Sequence, residues 1–469
     1  MQELNNNKIE GASTKERRYR RPTIPRPLTS PSLFPNGKTD QMASALGIWG
    51  ASDILTQNQN LAWNSDSDGR LRYVRPAINN KGEIHYWITD TTELNDEHPA
   101  TLAGEAALAV IETFDIRAAC MHLIYAGHAT KLDRPWEQEF VIDDRQIEEY
   151  LGLKKRKHLT KPEKLALIEK LAQQPCQITT FISWPAQGKV RAFTVSETRL
   201  WQMLEIQRHY VEDLFSNKEL VGLTFRVKAG YWAKYFLNSD WAKDKQAYYE
   251  CGTLSKDLLE DVMRIWQHRP GAARLLVWLL FKTKFEQRYP VVGQTLMEVA
   301  YGTQRVQEAR IVENKKLRQQ IADDLELDLL TVRENGWLLH FDPESYPEEI
   351  QPYWAGRGNG SRPRGYFEQI LTGRVWITAP KELVPVTSSS ESKLRPTQRK
   401  STPKCQQQLQ PIRSGAYLRK LREAKSLSQR QLAALTGISQ KMISMIERGD
   451  RPISQVNQER LSRALELKV

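Results

Sequence analysis

Apolar residues recur at helical spacing from Leu102 to Ala126, which predicts one long core helix. Before it, Leu71-Arg-Tyr-Val74 and Ile84-His-Tyr-Trp-Ile88 flank the turn residues Asn79-Asn-Lys-Gly82. That pattern predicts a hairpin inside a short β-rich segment, residues 41–101. Beyond Ala126 the hydrophobic period changes repeatedly, and it does so twice in the same order. In the first pass residues 140–152 read as a short strand entering a short helix, and Thr160-Lys-Pro-Glu163 is a capping box with proline in the first turn, opening a helix to about Gln173. Gln177–Trp184 and Lys189–Val195 then alternate as strands around Pro185-Ala-Gln-Gly188. The second pass has a helix over 256–285, Tyr289-Pro-Val-Val292, the helix Gln294–Ala300 and a helix from about Glu313 to Leu325. It closes with strands Leu329–Arg333 and Trp337–Phe341 around Asn335-Gly336, a dipeptide suited to tight hairpins. Helix, short helix, helix and two-stranded wing is the order of a winged helix. Residues 102–245 and 246–379 therefore predict two winged-helix-like domains in tandem, the second with an extension that holds the glycine-rich stretch 356–364 and a short helix and strand over 366–378.

Periodicity stops at Pro380, and Ser, Thr, Gln, Pro and Lys dominate to Ile412, as in a solvated flexible linker. It resumes with Tyr417-Leu-Arg-Lys-Leu-Arg422, an amphipathic first helix. Ser428 is placed to cap a second helix that turns Leu432, Ala433 and Leu435 inward and ends at Gly437, where a tight turn needs positive φ. Ser439 caps a third, with Ile443 and Ile446 inward and Gly449 at its end, and Leu461, Ala464 and Leu465 supply a fifth helix. Residues 413–469 resemble the phage Cro/repressor (XRE) type of helix-turn-helix on these positions. The resemblance implies a five-helix domain that binds double-stranded DNA sequence-specifically, with the second motif helix in the major groove. By position, Gln440, Lys441, Ser444 and Met445 then meet base edges: Gln can pair with adenine, Lys can donate to guanine, and Met can pack on a thymine methyl. Gln429, Arg430, Arg448 and Arg451 are the phosphate contacts the same resemblance implies, and Glu447 orients arginines or the fold.

The formal charge of +12 changes the picture once it is placed along the chain. Residues 1–38 carry eight Lys/Arg against three Asp/Glu, residues 380–412 six against two, and residues 413–469 twelve against five, so residues 39–379 balance at −4. The arm, residues 1–40, combines Arg17, Arg18, Arg20, Arg21 and Arg26 with five prolines and too little apolar surface to offset ordering, which predicts disorder. It is either a phosphate-contacting arm or a solubilising tail. Within the acidic middle, Lys154, Lys155, Arg156, Lys157, Lys161 and Lys164 lie before or on the first lobe's third helix, and Lys315, Lys316 and Arg318 on the second's. They form either a second DNA surface or the solvated faces of a module that binds a protein partner.

Other chemistry is not supported. Cys120, Cys176, Cys251 and Cys405 lie far apart without zinc-site spacing, and the first three read as buried thiols. Gly37-Lys-Thr39 ends like a nucleotide loop, but Ser32 stands where its first glycine belongs. No metal, no cofactor and no enzymatic activity is expected. No membrane association is expected either, since no apolar run reaches the ~18 residues a span needs, and the expected location is cytoplasmic. The fold class expected is mainly α with small β wings: a tandem winged-helix-like middle plus a five-helix C-terminal domain. Three roles fit: a transcriptional regulator, a plasmid replication initiator, which the middle resembles by architecture only, or a non-catalytic accessory subunit that recruits a partner to DNA. A homodimer is compatible with each.

Overall fold

The computed structural model describes residues 25–39, 42–43, 45–77, 81–186, 191–212, 218–237, 251–285, 289–311, 315–380, 383, 415–424, 427–448, 451, 457 and 461. They fall into two compact units, Met1–Val386 and Thr387–Val469. Helices predominate and the sheets are small and antiparallel. No helix among the described residues is long and apolar enough to cross a membrane.

In the first unit the helices are α1 (Leu46–Gln57), α2 (Gly104–Thr113), α3 (Ala118–Thr130), α4 (Asp144–Tyr150), α5 (Lys161–Gln173), α6 (Lys256–Ile265), α7 (Pro270–Phe285), α8 (Gly293–Tyr301), α9 (Thr303–Ile311), α10 (Lys315–Glu334) and α11 (Tyr366–Thr372). The strands are β1 (Met42–Ala43), β2 (Asn64–Ser65), β3 (Leu71–Ala77), β4 (Gly82–Ile88), β5 (Glu139–Asp143), β6 (Ile178–Trp184), β7 (Phe193–Arg199), β8 (Trp201–Glu212), β9 (Lys218–Ala229), β10 (Cys251–Gly252), β11 (Val291–Val292), β12 (Leu338–Phe341) and β13 (Arg374–Thr378). One continuous hydrophobic core runs from Leu33 to Leu383.

The first lobe follows α3, β5, α4, α5, β8, β9, and its sheet has the order β5-β9-β8. A capping box at Asp143 with Gln146 starts α4, and the predicted one at Thr160 with Glu163 starts α5. The two wing strands are β8 and β9. The predicted pair, β6 and β7, instead extends the β3–β4 hairpin into a five-stranded sheet, β2-β3-β4-β6-β7. Alternation marks a segment as a strand, but its neighbour is chosen by non-local packing: Ile182 and Trp184 bury against this second sheet's helices.

The second lobe follows α7, β11, α8, α9, α10, β12, β13, with sheet order β11-β13-β12. Here the predicted strand Leu329–Arg333 is the last part of α10. Leu325, Leu329 and Val332 share its buried face, a spacing of four and three that belongs to a helix. Asn335-Gly336 therefore ends a helix, with Gly336 at φ +87°, and β12 pairs with the distant β13.

Two predicted long helices are each broken. Asp115 accepts the Arg117 backbone N–H and its guanidinium, and this local turn separates α2 from α3. Pro270, which cannot sit inside a helix, separates α6 from α7.

Within residues 41–101, α1 was not visible as a helix. Every residue from Gly47 to Gln57 is buried, so no polar stripe betrays the period. Gly50 is needed there, because a Cβ would overlap the Tyr86 ring. The part of the arm that is described, residues 25–39, is packed. Ser30 exchanges hydrogen bonds with Val141 on the free edge of β5, and Leu33 and Phe34 bury against α3 and Tyr150. Prolines deny this stretch structure of its own, and the sheet edge supplies it. Residues 1–24 lie outside the described residues, as does nearly all of 380–412. Limited proteolysis of the full chain is expected to cut first within 384–412 and release a basic C-terminal fragment. Resistance of that stretch under conditions that nick other loops would contradict its reading as a linker.

Candidate nucleic-acid interface

The C-terminal unit is built on α12 (Gly415–Ala424), α13 (Gln429–Thr436) and α14 (Gln440–Arg448). Leu418, Leu432, Ile438, Ile443, Ile446 and Leu461 form its core. A capping box at Ser428 with Gln431 starts α13, and Gly437 ends it at φ +67°. No atom lies within 4 Å of where a Cβ on Gly437 would sit, so the requirement is conformational. Ser439 accepts the Met442 N–H and starts α14. One inward position differs from expectation: Leu435 is 61% exposed, whereas Thr436, one turn beyond Leu432, is buried and bonds the Leu432 carbonyl. Four residues bring a side chain back to the same face and three leave it short, and here the core lies on the 432–436 side.

With Ile443 and Ile446 inward, α14 turns Gln440 and Lys441 outward, both exposed, with Ser444 and Met445 half-buried beside them. Arg430, Arg448 and Arg451 are exposed. Gln429 is half-buried and donates to Glu447 at 2.8 Å. Sequence reading did not find the contact that holds these parts together. Arg422 on α12 donates Nε and Nη2 to the two Glu447 oxygens at 2.6 and 3.0 Å, and its Nη1 to the Leu427 carbonyl. Burial pushes the Glu447 carboxyl up, but the Arg422 and Gln429 bonds outweigh it and leave its pKa below the ordinary value. Glu447 thus positions the reading helix and does not face DNA.

The second predicted surface, in the first unit, is only partly free. Lys155 reaches Glu260 on α6 at 2.5 Å, and Arg156 donates to the Met263 carbonyl, so this basic run braces the first lobe against α6. Lys154 pairs with Glu149, and Lys161 with Asp144 and Glu148 at 2.6 Å each. Arg318 donates to the carbonyls of Ala309 and Arg310 and lies over Phe367. Lys157, Lys315 and Lys316 are exposed and Lys164 half-buried, and among the described residues they make no ion pair. The arginines of the glycine-rich extension are also engaged: Arg357 and Arg362 both bond Glu326, a buried carboxylate on α10. Among the described residues no group of His, Cys, Asp or Glu could hold a metal ion. Cys120 and Cys176 are buried free thiols.

Residues 418–469 match the family model described as Helix-turn-helix. The C-terminal unit is accordingly a helix-turn-helix domain, and through it the protein binds DNA. No curated protein matches the chain. Among solved structures, domains 2 and 3 of RctB, as a selenomethionine derivative, align with 70% of this chain and 98% of their own at 9% identity and a TM-score of 0.33. A second structure of the same RctB domains aligns with 63% of this chain and 88% of its own, at 8% identity and a TM-score of 0.29. Likeness at that level carries no argument about this chain.

Proposed function

We propose that this protein is a sequence-specific transcriptional regulator that acts by binding DNA and not by catalysis. The observation that carries the reading is α14, which turns Gln440 and Lys441 to solvent while Ile443, Ile446 and Glu447 fix it from behind. Leu461, buried in the same core as Leu418, supports the five-helix form of the domain. The first unit adds a flanking grip: its two lobes have the winged-helix connectivity, and the third helices α5 and α10 carry Lys164, Lys315 and Lys316. A lone helix-turn-helix reaches few base pairs, so the added lobes or a second copy of the chain would supply the rest of the affinity.

The test is a footprint of the full chain against residues 387–469 at several salt concentrations. The full chain should protect additional base pairs and show a steeper salt slope, by ~0.9 for each added phosphate contact. Equal footprints with equal slopes would assign the first unit to protein partners or dimerisation. A second reading, a replication initiator, is favoured by one observation, the repeated closure of strand one onto the wing in β5-β9-β8 and β11-β13-β12. Binding to a series of repeats that confers autonomous replication on a plasmid would select it. Binding to a single operator with altered transcription would select the regulator.

A further inference from the structure

The first unit's third helix has few free cations for a DNA contact, and the most basic stretch of the chain is delivered beside it. Arg26 donates Nη1 to Asp144 at 2.5 Å and Nη2 to the Val221 carbonyl at 3.2 Å, with Asp143 3.6 Å away. Its guanidinium lies directly over Gly222 of β9, where a Cβ would collide with it. Asp144 is fully buried, and its other oxygen takes Lys161, the first residue of α5, at 2.6 Å. The Leu223 N–H of β9 completes the set at 2.9 Å. One carboxylate therefore ties the arm, the start of the third helix and a wing strand to a single point. Burial raises the Asp144 pKa, but these three partners outweigh it and keep the group ionised.

Ahead of Arg26 the chain leaves the fold at the notch between α5 and the wing. Arg17, Arg18, Arg20 and Arg21 stand five to nine residues upstream with no acidic residue among them. Fully extended, that is at most ~32 Å of chain. The geometry points to an arm that grips the DNA backbone next to the groove entered by α5, with the Arg26–Asp144 pair as its positioning anchor. This placement explains how a middle region of net charge −4 holds a polyanion: the positive charge is brought to it by the arm. The inference rests on the proposed flanking grip by α5, and the test separates the two.

A photo-crosslinking residue is placed in the full chain at Tyr19 or at Lys164, and the DNA positions each one labels are mapped. Both should label the same flank of the site, within about one helical turn of each other. Replacing Arg17, Arg18, Arg20 and Arg21 by Ala should lower the salt slope by ~0.9 for each arginine that touches phosphate and leave the Lys164 crosslink in place. Arg26→Ala, which keeps the four arginines but removes the anchor, should spread the Tyr19 crosslinks over more base pairs. Labelling from Lys164 with Tyr19 crosslinking elsewhere, or an unchanged slope in the fourfold variant, would overturn the arm's placement alone. A Tyr19 pattern as sharp in Arg26→Ala would overturn the anchor. Absence of any crosslink from Lys164 would overturn the flanking grip, and this inference with it.

Discussion

Gln440→Ala combined with Lys441→Ala is expected to cost the protein its choice of site while leaving it bound to DNA. Each base-edge contact of this kind is worth ~1–3 kcal/mol of discrimination, so losing two should lower the preference for the cognate site at least about 30-fold. Binding itself should persist in a weaker, salt-sensitive form. Arg430, Arg448, Arg451 and the cations of the first unit remain, and phosphate contacts position a protein without reading sequence. The measurement is a gel shift of the cognate site under competition from unrelated DNA, run on the double variant and the wild type. Undiminished selectivity would remove α14 as the reading helix. A loss of all binding with unchanged folding would mean that the two residues hold the backbone instead.

Glu447→Ala is expected to have the largest effect on stability. The Glu447 side chain is 3% exposed and that of Arg422 10%, and removing one partner of a buried pair costs ~3–5 kcal/mol because the other is left uncompensated. That is a large share of the total for a small domain, so the C-terminal transition in calorimetry should disappear or fall far below that of the first unit, whose own transition should stay in place. The pH dependence follows from the sign of the shift. A carboxyl held below its ordinary value of 4.5 stabilises the fold fully above that value, and the contribution is lost as pH falls through the lower folded value. The C-terminal transition should therefore weaken in acid, and that slope should be missing in Glu447→Gln. An Ala variant as stable as the wild type would show that Arg422 finds another partner and that the pair is not what joins α12 to the motif.

The C-terminal motif was legible because its signals are local. Ser428, Gln431, Gly437 and Ser439 specify caps and a turn through atoms no more than three or four residues away. The same holds for Thr160 with Glu163. Where reading failed, the deciding partner was remote. Leu435 and Thr436 compete for one inward place, and only the position of the neighbouring helices chooses Thr436. Arg422 and Glu447 are an ordinary surface pair by composition, and the fold brings them together across twenty-five residues. The basic run 154–157 looked like a DNA surface because no local feature could reveal Glu260 and Met263 over a hundred residues on.

By itself the sequence determined that a basic helix-turn-helix closes the chain and that a helical middle with β wings precedes it. Caps, glycine turns and period depend on backbone geometry within a few residues, which any environment leaves intact. Tertiary structure alone decided which strands form each wing, that α1 is a helix, and that the described part of the arm is packed. Strand pairing, full burial and docking depend on surfaces contributed by residues far away in the chain. It also decided which cations remain free for DNA. A lysine or arginine is available to a phosphate only if the fold has not already given it a carboxylate or a carbonyl, and Lys155, Arg156, Lys161 and Arg318 have been given theirs.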